Sequence, residues 1–443
     1  MYDNKKIFIL GMARSGYEVA KVLASHNCDI LITDKEEQDK DHIKELESLG
    51  VKYIVSNKPE TLLNNEYDYV VKNPGIKIDH AVCLKADILK IPVINELEVA
   101  YHYLANNVKI IGITGSNGKT TTTTITYEIL KKANLPVHLG GNIGYPMCSL
   151  IDKVKENEII VLEISCQQLH DFKDFKTDIG VLTNLVPVHL DHFKTYENYK
   201  YHKSRIFDHH DSSNVAILNG TDEDVMDITK NIKSKKILFS SIVKNDLYIM
   251  DGYIWYNEDK IIALEDIILK GNHNYENIMC AIAIAKEFKV NNNVIKDVLK
   301  NFFGVAHRLE FVKEINHISF YNDSKATNVK STQIALRAFT NPTILLLGGL
   351  DRKHSFDDLV IDMKHVKQVI CYGETKQRIK EFCDKNNFKC QVVNTLEEAT
   401  IEAYKKATGG DVILLSPACA SWDQYKCFED RGNEFKRVIE QMR

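Results

Sequence analysis

No block of lysines and arginines runs anywhere in these 443 residues, and the formal net charge is −4. Nucleic acid and anionic membrane surfaces therefore find no basic face to bind. No apolar run approaches bilayer length, and the stretch nearest the start, residues 7–10, is too short for a signal-peptide core. It reads as a first strand, so the expectation is a cytoplasmic chain with neither membrane nor nucleic-acid partners. The ten cysteines show no paired spacing of a zinc site. Cys28, Cys83, Cys148, Cys280 and Cys371 sit among apolar neighbours and read as reduced, partly buried thiols. Tandem repeats and low-complexity linkers are absent as well. What remains is 44% hydrophobic and 27% charged, ordinary for a globular protein, in a chain too long for one core.

Three α/β segments follow one another. The first runs from residues 7–10 through the turn Gly11-Met-Ala-Arg-Ser-Gly16, a helix to Leu23, and a strand over residues 29–32 that leads to Asp34. That is the Rossmann-like βαβ order, but the middle glycine of the dinucleotide fingerprint is missing, which argues against NAD. The second begins at Val108 and enters Thr114-Gly-Ser-Asn-Gly-Lys-Thr120; a helix is expected from Asn274 to about Phe288. The pattern restarts near Phe302-Phe-Gly304 and alternates strands (343–347, 368–372, 412–415) with helical stretches, which suggests a mainly parallel, helix-covered sheet.

The strongest motif is the turn Gly115-Ser116-Asn117-Gly118-Lys119-Thr120-Thr121 after an apolar strand. Its glycines let backbone N–H groups point inward at phosphate oxygens, and the helix that follows adds a favourable dipole. Lys119 suits the β- and γ-phosphates, and the Thr120 hydroxyl suits Mg²⁺. Ile113 stands where the strict pattern has its first glycine. Such a loop serves a kinase, an ATPase or a ligase equally well. Glu163 ends an apolar strand from which a carboxylate can reach the loop's cation. His189 lies in a polar stretch after another strand, and Lys200 and Lys203 on a helical, aromatic-rich one. Mg²⁺ prefers oxygen, and a lysine there is ordinarily solvated, so spacing alone assigns neither residue type to a metal.

The set Gly115–Thr120, Glu163-Ile-Ser165, His189-Leu-Asp-His192 and Lys203-Ser-Arg-Ile206 resembles the central domain of the Mur ligases. The resemblance implies that Lys203 is N-carboxylated. It also implies two Mg²⁺ sites, Thr120 and Glu163 serving one and His189 with carboxylated Lys203 the other. Asn274 and Asn277 match the adenine-side motif, although Asn272 could simply cap a helix there. Gly304-Val-Ala-His-Arg308 matches the domain junction, where Arg308 meets the ATP phosphates.

Three later motifs, Asn322–Asn328, Gly348–Lys353 and Ser416–Phe428 with Arg431–Phe435, resemble the D-glutamate-adding branch of that family. By that resemblance Asp323 and Lys325 lie on the nucleotide side, while Thr327, Lys353, Ser421 and Phe428 hold D-glutamate. A lysine suits a side-chain carboxylate, and a hydroxyl suits an α-carboxylate. On the uridine side the matching positions are Arg14, Ser15, Asp34, Lys35, Asn73, Gly75, Asn142 and His189; Glu36 stands where some relatives carry a cation.

The resemblance thus implies three domains: 1–98, Rossmann-like and UDP-binding; 99–304, P-loop and ATP-binding; and 305–443, Rossmann-like and D-glutamate-binding. It implies a monomeric ligase using ATP, with Lys119, Glu163, His189, Lys203 and Arg308 as catalytic residues. Relatives adding another amino acid, folylpolyglutamate synthase, a plain ATPase or kinase, and a nucleotide sensor are the competing readings.

Overall fold

The computed structural model describes residues 1–143 and 145–442; Gly144 and Arg443 lie outside them. The chain forms two compact units, Met1–Phe302 and Phe303–Arg443.

The first unit holds two sheets. One consists of β1 (Lys6–Leu10), β2 (Asp29–Asp34), β3 (Lys52–Val55), β4 (Tyr69–Lys72) and β5 (Val93–Ile94), in the order β3-β2-β1-β4-β5. All its ladders are parallel. Residues 7–9 of β1 are fully buried, as expected of a strand covered on both faces. β2 runs two residues past Ile32, because the Asp34 carboxylate accepts the Met12 N–H at 2.8 Å and ties the strand end to the first glycine turn. The strand order reverses between β1 and β4, and the crevice at such a switch point is where open α/β sheets bind ligands. Gly11 follows β1 there and Asn73 follows β4.

The second sheet is formed by β6 (Lys109–Thr114), β7 (Val137–Gly141), β8 (Ile159–Glu163), β9 (Ile179–Leu182), β10 (Val215–Asn219), β11 (Lys235–Ser240), β12 (Leu247–Met250), β13 (Tyr253–Tyr256) and β14 (Asp259–Ala263). Its order is β14-β13-β12-β11-β10-β9-β6-β8-β7. Pairing is parallel from β7 to β12 and antiparallel across β12, β13 and β14. β6, which delivers the glycine turn, sits between β9 and β8. The helix Lys119–Lys132 after it packs on Asn272–Glu287, whose residues 277–285 are buried all round. That second helix starts two residues before Asn274, and its N-cap is Gly271 with no side-chain cap bond, so Asn272 does not cap it.

Buried polar contacts join the two sheets. Glu98 accepts the N–H groups of Lys173, Asp174 and Phe175 at 2.9, 2.8 and 3.1 Å, and Asn95 donates to the Gln168 carbonyl at 2.6 Å. Lys72, the last residue of β4, stands 3.0 Å from Asp171, each side chain only 1% exposed. The Lys72 ammonium also donates to the Ile76 carbonyl at 3.1 Å, and His170 reaches the other Asp171 oxygen at 2.6 Å.

The second unit has one sheet: β15 (Glu310–Ile315), β16 (Ile318–Asn322), β17 (Thr343–Gly348), β18 (Val366–Tyr372), β19 (Cys390–Val392) and β20 (Val412–Leu415), in the order β15-β16-β20-β17-β18-β19. Only β15 runs antiparallel to its neighbour. Alternation divides the core: Leu345 and Leu347 join Ile379 and Phe382 on one face, while Ile344 and Leu346 join Leu396 and Phe435 on the other.

Replacing Lys72 with Met leaves the Asp171 carboxylate buried without its cation, and removing one partner of such a pair costs roughly 3–5 kcal/mol. Lys72→Met should therefore lower the urea midpoint of the first unit markedly. Lys72→Met/Asp171→Leu should recover most of that loss, and a double variant no better than the single one refutes this account of the pair.

Candidate functional site

β6 ends on Thr114, and the chain turns through Gly115 and Gly118 at φ +150° and +82° into the helix Lys119–Lys132. A Cβ at Gly118 would run into Asn277 Oδ1, and one at Gly115 into Thr183 Oγ1, so neither position has room for a side chain. No side chain caps the helix. Its first-turn N–H groups are oriented as an anion would meet them. The Lys119 ammonium curls back to the carbonyls of Gly115 and Ser116, each at 2.9 Å.

The turn is held from the neighbouring strand end. After β9, the Asn184 carbonyl accepts the Ser116 N–H at 3.0 Å, and Asn184 Oδ1 accepts the Asn117 N–H at 2.9 Å. Thr183 Oγ1 donates to the Asn117 carbonyl at 2.6 Å, and Ser116 Oγ lies 2.9 Å from the Tyr199 hydroxyl. Thr183, Asn184 and Tyr199 were not singled out in the sequence. Their only signal is that a polar pair follows a strand at the carboxyl edge of a parallel sheet.

Glu163 closes β8 beside the turn and is 1% exposed. The Thr120 hydroxyl donates to one of its oxygens and the Asn142 amide to the other, both at 2.6 Å. Asn142 thus sits on Glu163. Lys203 is also 1% exposed; its Nζ donates to Thr114 Oγ1 at 2.7 Å and to the Gly115 carbonyl at 3.0 Å. Burial, and then the Lys119 charge, push its pKa down to about 7. Lys200 is bonded instead to Asp224 at 3.0 Å and Glu197 at 2.8 Å. His189 is exposed, at φ +55°, at the head of the short helix Leu190–Phe193, with its ring 6.5 Å from that of Tyr199. Asn277 lies on the turn through Gly118 and is 3.4 Å from Thr122 Oγ1, whereas Asn274 is half-buried and donates to the Lys270 carbonyl at 2.9 Å.

The crevice of the first sheet encloses about 300 Å³ and is lined by Gly11, Thr33, Asp34, Lys35, Asn57, Asn73 and His80 among others. Ser15 accepts a bond from the Asn73 amide at 3.1 Å, and Asn73 Oδ1 accepts the Gly75 N–H at 3.1 Å. Asp34 faces the crevice but also receives the backbone N–H groups of Met12 and Lys35 at 2.8 and 2.7 Å. Arg14 opens the following helix, exposed, and does not line the crevice. Asn57 and His80 were not anticipated.

In the second unit the three late motifs meet on Arg431, which is fully buried. Its guanidinium donates to Ser324 Oγ at 3.0 Å, to the Ser324 carbonyl at 2.7 Å and to the Cys419 carbonyl at 3.0 Å. The Leu350 N–H bonds the Ala420 carbonyl at 2.9 Å, which sets the segment ending at Lys353 against the one holding Ser421. Asp323 accepts from Ser416 Oγ at 2.8 Å and from the Leu309 N–H at 3.2 Å, and burial pushes its carboxyl up to about 7. Lys325 Nζ stands 5.7 Å from the centre of the Phe428 ring. Thr327 is half-buried, Ser421 is buried, and Arg308 and Lys353 are exposed, the last at φ +58°.

Residues 113–285 match the family profile "Mur ligase middle domain", and 307–419 match "Mur ligase, glutamate ligase domain". The UDP-N-acetylmuramoylalanine–D-glutamate ligase of Bacillus mycoides (strain KBAB4) is 41% identical over 445 aligned residues, covering 100% of this chain and 98% of the relative. The enzyme of the same name from Bacillus anthracis is 40% identical over the same span. Among solved structures, the UDP-N-acetylmuramate-alanine ligase MurC of Thermotoga maritima superposes with a TM-score of 0.58 at 18% identity, over 98% of this chain and 99% of that one. MurF of Thermotoga maritima in complex with ADP gives 0.53 at 16% identity, over 99% and 96%. At these identities the likeness is one of fold.

The buried Lys203 amine carries a pH signature. Between its folded pKa of about 7 and the unfolded value of about 10.4, the unfolded chain binds a proton that the folded chain does not, so stability rises with pH there. The slope reaches roughly 1 kcal/mol per pH unit. Lys203→Met should abolish that slope when urea unfolding is followed from about pH 7 to 9 in carbon-dioxide-free buffer. Parallel pH profiles for the two proteins would contradict the depressed pKa.

Proposed function

Because the chain belongs to the Mur ligase family, we infer that it catalyses the ATP-driven addition of D-glutamate to UDP-N-acetylmuramoyl-L-alanine in peptidoglycan synthesis. The observation that carries the chemistry is the convergence of Lys119, Thr120, Glu163 and Lys203 on one glycine turn. The relatives' shared name and full-length coverage support the choice of amino acid.

A carboxylate resists attack by an amine because oxide is a poor leaving group. Transfer of the γ-phosphoryl group of ATP to the alanine carboxylate yields an acyl phosphate. The D-glutamate nitrogen then attacks its carbonyl carbon, phosphate leaves, and an amide forms. Residues 115–121 receive the phosphates. The Lys119 ammonium and the helix N-terminus offset negative charge as two anions approach. Asn274 and Asn277 are assigned to the adenine side, and Arg308, Asp323 and Lys325 of the second unit to the nucleotide as well.

The residues fit Mg²⁺: a threonine hydroxyl and a buried carboxylate on one point are the oxygen donors it prefers. Thr120 and Glu163 would hold one ion, and His189 with carboxylated Lys203 a second. When bound, the ions supply charge neutralisation between phosphate and carboxylate. Lys203 suits that role because an amine titrating near pH 7 is substantially neutral. Its nitrogen can attack carbon dioxide, forming a C–N bond and releasing a proton, and the product is an oxygen ligand.

Arg14, Ser15, Asp34, Lys35, Asn73, Gly75, Asn142 and His189 are assigned to the UDP-sugar substrate, and Thr327, Lys353, Ser421 and Phe428 to D-glutamate. A separate sheet in each segment supports domains at 1–98, 99–304 and 305–443. We place the enzyme in the cytoplasm as a monomer acting on small molecules. Among the described residues no helix is long and apolar enough to cross a membrane.

The decisive assay is phosphate release with ATP, Mg²⁺ and UDP-N-acetylmuramoyl-L-alanine, comparing D-glutamate with L-glutamate, L-alanine and L-lysine. Release only with D-glutamate, together with the dipeptide nucleotide, is expected, and Lys119→Ala should reduce it at least a hundredfold while the protein stays folded. Release with another amino acid overturns the substrate assignment; release with none makes the chain an ATPase.

A further inference from the structure

The second unit carries a group of thiols that the ligase reaction does not use. Cys371 lies in β18 and Cys390 opens the edge strand β19, paired with Val369 in a parallel ladder. Residues 369 and 371 share a face, so both sulfurs emerge on the same side of the sheet. Their Sγ atoms are 3.5 Å apart. Cys383, on the helix Lys376–Lys385 that covers this face, brings a third sulfur within hydrogen-bonding reach of Cys390. Cys371 and Cys383 are fully buried, whereas Cys390 is partly open to solvent. The carbonyls of Lys376 and Gln391 flank Cys371 Sγ at 3.3 and 3.4 Å and pin it in place.

We propose that Cys390, backed by Cys371 and Cys383, is an oxidation site at which a peroxide is reduced and a disulfide forms within this unit. The chemistry balances. The Cys390 thiolate attacks one peroxide oxygen, the O–O bond breaks, and Cys390 becomes a sulfenic acid as hydroxide departs and is protonated to water. Cys371 or Cys383 then attacks the sulfenic sulfur, an S–S bond forms, and the second oxygen leaves as water with the attacking thiol's proton. Two thiols lose two electrons, and one peroxide gains them.

The surroundings separate the roles of the three sulfurs. Hydrogen bonding to Cys371 and Cys383 favours the Cys390 thiolate, against the effect of burial. The one Cys371 proton is shared with two carbonyls, so the second donor, Cys383, matters. From the covering helix, Lys380 favours the thiolate and Asp384 opposes it, and these two are bonded to each other. Cys28 and Cys427 are similarly part-open, but burial pushes both their thiols up. They are built-in controls for exposure without a thiol neighbour.

The test needs only the intact protein. Reduced enzyme is treated with substoichiometric hydrogen peroxide at neutral pH, alkylated, and mapped by tryptic mass spectrometry without reduction. Cys390 should be consumed at least tenfold faster than Cys28 or Cys427, and a peptide holding Cys390 should appear cross-linked to the one holding Cys371 or Cys383. With Cys371→Ser/Cys383→Ser the cross-link should vanish while sulfenic acid accumulates at Cys390, trapped by dimedone. Equal consumption of the three part-open cysteines, or loss of Cys390 with no cross-link in the unsubstituted protein, overturns the proposal.

Discussion

The Thr114 hydroxyl is where the first unit is fastened together: it donates to the Ile164 carbonyl at 2.7 Å and accepts from the Lys203 amine at the same distance. Through it the end of β6, the exit of β8 and the helix bearing Lys203 share one buried point. A phosphate-binding turn must present backbone N–H groups outward, so it cannot use them all to hold its own shape. The shape is therefore imposed from outside, by Asn184 and Thr183 at the end of β9 and by Lys203 from below. The arrangement demands that Lys203 be buried, and an ammonium in that position is costly. Two acceptors lie within its reach, which matches the two N–H donors of a neutral amine. The depressed pKa and the geometry therefore describe one state of this side chain.

How much of this could be read in advance depended on how local each signal was. The glycine turn was legible because its backbone conformation is written in seven consecutive residues, and Glu163 because it ends an apolar strand. The parallel order of the sheets followed from alternating strand and helix patterns. The choice between Lys200 and Lys203 was not legible from the pattern, since both lie on one helical stretch and only packing decides which faces the turn; the family resemblance had named Lys203. Nor were Asn184 and Arg431 legible in their roles. Asn184 acts on residues 67 positions away, and Arg431 on Ser324, 107 positions away. Asn272, a plausible cap by composition, caps nothing, because Gly271 takes that position.

The two units solve similar problems with different chemistry. In the first, the strand ends are tied by amides, hydroxyls and a carboxylate, groups that also suit ligands. In the second, one guanidinium joins two of the three segments through carbonyl and hydroxyl oxygens, and the third is bonded to one of these. Its planar fork and permanent charge let it serve several acceptors at once, which a lysine could not do. The polar groups left at the surface of that unit, Lys353 and Arg308 among them, are therefore carried on segments whose roots are fixed.

The crowding of Gly118 against Asn277 constrains how this sequence can change over time. A larger residue at 118 meets the amide of 277 at once, so drift at the turn must wait for a shortening 159 positions downstream. Shortening 277 first removes an acceptor from the buried Thr122 hydroxyl, so neither order of events is silent. Two distant codons are thus bound into one unit of inheritance, with the intermediate step exposed to selection whichever comes first.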